Sequence, residues 1–151
     1  MDAKEFERIM DFAIAAEIEA YEFYNEVAQS TADKSLKVLF TEFAEEEKGH
    51  RLTLESLKNK QIQNFSFAGA TDYKIAETVD APRLSLSMKP ADAIALAMKK
   101  EQEAKEMYEG LAKAATEEEE LHLFMNLAKM EQGHKAKMEN LYNQVAFAEV
   151  W

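Results

Sequence analysis

Apolar residues recur at spacings of three and four along four long stretches rich in Ala, Glu, Lys, Leu and Met, the period of a helix with one buried face. The pattern predicts four helices. The first runs from about Asp2 to Gln29, with Asp2 as its N-cap and Glu5 placed three residues on to complete a capping box. A short turn, Ser30 to Lys34, leads into the second, which continues to about Leu57. Between Asn59 and Lys89 the helical period is lost, and Asn64, Gly69, Asp72, Asp80, Pro82 and several serines collect there. That stretch reads as a long crossover. Pro90 suits the first turn of a third helix reaching about Ala114, and Thr116 with Glu119 offers a capping box for a fourth that reaches the C-terminus. The expected fold is one all-α domain over residues 1–151, an antiparallel four-helix bundle made of two hairpins, about 2–58 and 90–151, joined by one crossover at about 59–89.

The two hairpins are duplicated. Shifting the chain by 84 residues lays Ala13, Glu17, Glu19, Ala20, Glu22, Tyr24 and Ala28 on Ala97, Glu101, Glu103, Ala104, Glu106, Tyr108 and Ala112. The same shift lays Phe40, Ala44, Glu47, Gly49 and His50 on Phe124, Ala128, Glu131, Gly133 and His134. Helical composition aligns some Ala and Glu by chance, but it does not also align Tyr, Gly and His at one offset.

Within the repeat, Glu47 with His50 and Glu131 with His134 are three residues apart, about 300° on a helix, so each pair leaves one face within a turn and can chelate. Both pairs lie on the apolar side: Phe40, Phe43 and Leu54 share the stripe of Glu47, and Phe124, Leu127 and Met138 that of Glu131. Glu17 follows Phe6, Met10, Ala13 and Ile14 on the buried stripe of the first helix. Glu101 sits likewise among Ile94, Ala97, Met98 and Tyr108. Four inward carboxylates and two neutral imidazoles carry a charge of −4 into an apolar interior, and isolated buried charge costs many kcal/mol. Two divalent cations would neutralise the set. Tyr24 and Tyr108, each seven residues after an inward Glu, are placed to support the ligand carboxylates from behind. Gly49 and Gly133 suggest a close helix approach beside each His.

Composition narrows the partners. With 29 acidic against 18 basic residues the net charge is −11, unsuited to nucleic acid or an anionic membrane, which need clustered Lys and Arg. No cysteine is present, so thiolate metal sites, disulfides and thiol nucleophiles are excluded. The first ten residues carry five charges and no apolar leader core, so a cytoplasmic location is expected. His122 among Glu118, Glu119 and Glu120 reads as a surface residue, and the Glu117 to Glu120 run as acids complementing a helix dipole. Val145, Phe147, Val150 and Trp151 form an apolar tail suited to the bundle end or to a second copy in a homodimer.

On these motifs the chain resembles the ferritin-like diiron carboxylate superfamily, and within it the diiron domain of the rubrerythrins. One Glu from each of two helices and a Glu-x-x-His from each of the others is that superfamily's ligand pattern. The resemblance implies Glu17 and Glu101 as terminal ligands, Glu47 and Glu131 as bridges, and His50 and His134 as one ligand per metal, with two iron ions bound, or manganese. Rubrerythrins often add a ligand Glu three residues after the third-helix Glu, where this chain has Ala104. They also append a cysteine-ligated rubredoxin domain, which a cysteine-free chain cannot form, so electrons would come from an external donor protein. The implied activity is reduction of hydrogen peroxide or oxygen. The alternatives are ferroxidase-type iron storage or detoxification, and a dimanganese catalase.

Overall fold

In a computed structural model the protein is described over residues 1–150, with the backbone alone at 148–150. The backbone holds four long helices, α1 (Ala3–Ser30), α2 (Lys34–Asn59), α3 (Pro90–Ala114) and α4 (Glu118–Val150), with no strand among the described residues. This is the all-α class, with the two helical hairpins and one crossover, that the hydrophobic period predicts.

The chain divides into two compact units, residues 1–65 and 66–151, the boundary falling inside the crossover. In the first, α1 packs on α2. Asp2 caps α1, its side chain accepting from the Glu5 N–H at 2.8 Å. Thr31 ends α1, and Asp33 starts α2 by accepting from the N–H groups of Ser35 and Leu36, so a three-residue turn suffices. The buried face of α1 is Phe6, Met10, Ala13, Ile14, Glu17, Tyr24, Val27 and Ala28, and that of α2 is Leu36, Phe40, Phe43, Ala44, Glu47 and Leu54. Tyr24, Phe40 and Phe43 pack with ring centroids 5.6–6.0 Å apart, mostly edge to face.

In the second unit α3 packs on α4, and the crossover contributes a single 3-10 turn, Ala76–Thr78, that lies against α3. Pro90 occupies the first turn of α3, where its missing N–H has no partner to lose. The start of α4 differs from expectation. The Leu121 N–H bonds the Glu117 carbonyl and the helix opens at Glu118, so Glu117 rather than Thr116 stands at the cap position. Three glutamates fill the first turn. His122 is exposed as expected, 4.0 Å from Glu118. Of the apolar tail, Phe147 is exposed, whereas the Val150 side chain and Trp151 lie outside the described residues. No described helix is long and apolar enough to cross a membrane.

Candidate metal centre

Amphipathic periodicity brings Glu17 of α1 and Glu47 of α2 to the buried faces of the first hairpin, both almost fully buried. His50, one turn after Glu47, turns its Nδ1 to within 3.6 Å of the Glu17 carboxylate and 4.0 Å of that of Glu47. Its side chain retains 25% of its exposure. In the second hairpin Glu101 of α3 and Glu131 and His134 of α4 are all buried. His134 Nδ1 lies 3.0 Å from Glu101, and its side chain is 1% exposed. One ligand atom each of Glu101, Glu131 and His134 lie within 4.8 Å of one another. That spacing and those donors, oxygen and imidazole nitrogen, fit a divalent cation bonded at about 2.0–2.2 Å to each. Each hairpin thus gathers its own three predicted side chains.

Tyr24 and Tyr108 are fully buried. Tyr24 sits at the edge of the Phe23, Phe40 and Phe43 rings, so its ring is core whatever its hydroxyl does. The glycines behave differently from expectation. A Cβ at Gly49 or Gly133 would meet nothing within 4 Å among the described residues, so neither is required by close packing there.

A second charged cluster went unread in the sequence. Lys135, the residue after His134, is 1% exposed, and its Nζ lies 2.7 Å from Asp72, 2.6 Å from Glu77 and 3.5 Å from Glu139. Asp72 also accepts from Lys105 Nζ of α3 at 2.8 Å and from the Lys74 N–H at 3.0 Å. Glu139, fully buried, accepts from the N–H groups of Ile75 and Ala76 at 2.7 and 2.9 Å, and Gln132 donates to the Thr71 carbonyl at 3.0 Å. Asp72, Glu77 and Glu139 are themselves spaced to hold a cation. The Lys135 ammonium already provides it.

Burial alone would push the Asp72 carboxyl up, but hydrogen bonds from Lys105 and Lys135 hold it well below the usual carboxylate range. Lys135 shows the mirror case: burial favours the neutral amine, and the bonds to Asp72 and Glu77 with the charge of Glu139 outweigh it, raising the ammonium pKa.

The duplicated pattern has a counterpart here. At the same offset of 84, Lys135 and Glu139 correspond to Arg51 and Glu55, which form an i,i+4 pair at 3.7 Å with 30% and 41% of their side chains exposed. A repeated cation–acid pair, beside a ligand in both halves, was the available signal.

An all-α chain that brings duplicated Glu-x-x-His pairs and two further glutamates to buried helix faces belongs to the class of ferritin-like carboxylate proteins of the diiron type. The rubrerythrin family matches residues 8–142, and the chain belongs to that family. Among solved structures it is similar to a hypothetical protein from Pyrococcus furiosus, 30% identical over 93% of this chain and 90% of the other, with a TM-score of 0.52. No curated protein matches.

Proposed function

We propose that the six side chains Glu17, Glu47, His50, Glu101, Glu131 and His134 hold two iron ions, and that the protein reduces hydrogen peroxide or oxygen with electrons from an external donor protein. The observation that carries this reading is the fully buried Glu101–Glu131–His134 triad, whose donors are grouped within one ion's reach. Membership of the rubrerythrin family supports it. Iron bound there supplies the reducing electrons and the Lewis acidity for cleaving an O–O bond.

The chain's own part is to hold and exclude. Burial of four carboxylates in an apolar surround strengthens their attraction for a cation and keeps bulk water from competing. The imidazoles bind in the neutral form, with Nδ1 of each turned toward its own hairpin's glutamates. Tyr24 and Tyr108 are assigned to orient ligand carboxylates through their hydroxyls. These 151 residues hold no cysteine to ligate a rubredoxin-type iron, so the electrons are assigned to a donor outside them.

Rapid mixing tests the reading. Chain loaded with ferrous iron should be oxidised by peroxide much faster than ferrous iron in buffer; a rate no faster than buffer contradicts it. Rapid oxidation by oxygen alone with iron retained in large excess would favour storage, and activity with manganese but not iron a catalase.

A further inference from the structure

We infer that the crossover is a positioning device for the α3/α4 ligand triad: Asp72, clamping Lys105 of α3 and Lys135 of α4, holds Glu101 and His134 in register, so that this triad binds its cation more tightly than Glu17, Glu47 and His50 bind theirs. The inference rests on the reading that both triads bind metal.

Three observations carry it. First, the clamp meets both helices beside the ligands. Lys105 lies one turn after Glu101, and Lys135 directly follows His134; the two carboxylate oxygens of Asp72 take one ammonium each, at 2.8 and 2.7 Å. Rotation or sliding of either helix would break a bond at the level of the ligands. Second, the clamp is itself anchored. The segment from Thr71 to Ala76 bonds along one face of α4 through Gln132, Lys135 and Glu139. These side chains are buried, where such bonds are least screened. Third, the duplicated hairpin lacks the device at these positions and its triad is looser. Tyr21 stands where the second hairpin has Lys105, and the Arg51–Glu55 pair is only half-buried, against 1% and 0% exposure for Lys135 and Glu139. His50 Nδ1 lies 3.6 Å from Glu17 with a quarter of its side chain exposed, against 3.0 Å from Glu101 and full burial for His134. A ligand set already held in its binding geometry loses less freedom when the ion arrives, and outer partners that orient ligands are worth about ten- to a hundredfold in metal affinity.

The test is a titration of metal-free full-length chain with cobalt(II), read by calorimetry and by the visible ligand-field bands. The unmodified chain should take up two equivalents in two steps, with H134A abolishing the tighter step and H50A the weaker. D72N should weaken the tighter step about ten- to a hundredfold and shift its bands, leaving the weaker step in place. K105M should do the same to a lesser degree, with K105R restoring binding; it keeps Asp72 and Lys135 paired, so it serves should D72N unfold by circular dichroism. Tight-step affinity and bands unchanged in a folded D72N or K105M overturn the inference while leaving the metal reading intact. Uptake of no cobalt by the unmodified chain overturns both.

Discussion

The two hairpins began as one pattern and now solve the same electrostatic problem differently. Each places a Glu from one helix and a Glu-x-x-His from the next on buried faces, and each carries a cation one residue after the His and an acid four residues further on. In the first hairpin that pair, Arg51 and Glu55, is half-buried. In the second the crossover covers Lys135 and Glu139 and adds Asp72, Glu77 and two backbone N–H groups as partners. An i,i+4 pair in water contributes a few tenths of a kcal/mol, and covering it converts a weak surface contact into an interaction that cannot be broken cheaply. The difference teaches where a duplicated scaffold is free to diverge: the faces carrying the Glu-x-x-His pairs keep their residues in both halves, and neighbouring faces follow whatever chain happens to cover them.

The largest expected effect comes from removing the buried member of this comparison. Lys135→Met leaves the fully buried Glu139 without its ammonium and should destabilise by about 3–5 kcal/mol, whereas Arg51→Met, at a half-buried pair with a part-exposed acid, should change stability by about 1 kcal/mol or less. Urea unfolding of the two variants measures both, and equal losses would erase the distinction between the hairpins. Next in size is the effect of metal. A ferrous concentration a hundred times the dissociation constant should stabilise the native state by about 2.7 kcal/mol, seen as a raised melting temperature that Glu131→Ala removes. Smaller still is the cap at the first hairpin's turn: Asp33→Ala deletes the acceptor for the Ser35 and Leu36 N–H groups and should cost about 1 kcal/mol.

A pH series sharpens the account of the clamp. Asp72 is held below its ordinary value of 3.8, so its contribution is fully present above that pH and is lost as pH falls through the lower folded value. Lys135 is held above its ordinary 10.5, so its contribution is present below that pH and is lost as pH rises through the higher folded value. The melting-temperature gap between the unmodified chain and Asp72→Asn should therefore stay constant from about pH 5 to 9 and narrow toward pH 2. A gap that changes between pH 5 and 9 would show that other groups govern the segment.

Most of the fold was legible because it rests on local rules. The 3.6-residue period marks four helices, Asp2 and Pro90 mark two of the starts, and the loss of period after Asn59 marks the crossover. The candidate metal cluster was legible for another reason: two Glu-x-x-His pairs at one offset, each on an apolar stripe, place buried carboxylates that call for a compensating cation. What the sequence concealed depends on distant pairs. Nothing about Asp72 announces that it will meet Lys135, 63 residues away, and a lysine beside a ligand histidine looks like solvent-facing charge until a covering segment is placed over it. Asp33 does not stand out as a cap in the sequence, because it lies inside the Ser30 to Lys34 turn and no Glu or Gln stands three residues on to complete a capping box. The glycines point the opposite way: Gly49 and Gly133 pair at the repeat offset, yet no neighbour among the described residues stands near enough to require them.

The most direct measurement is the metal content of the protein isolated from its native host, taken together with that of the E101A/E131A double variant produced in the same way. About two iron ions per chain in the first, with loss of bound iron in the second, is the predicted result. A native protein free of metal, or one whose metal content is the same with Glu101 and Glu131 replaced, would contradict it.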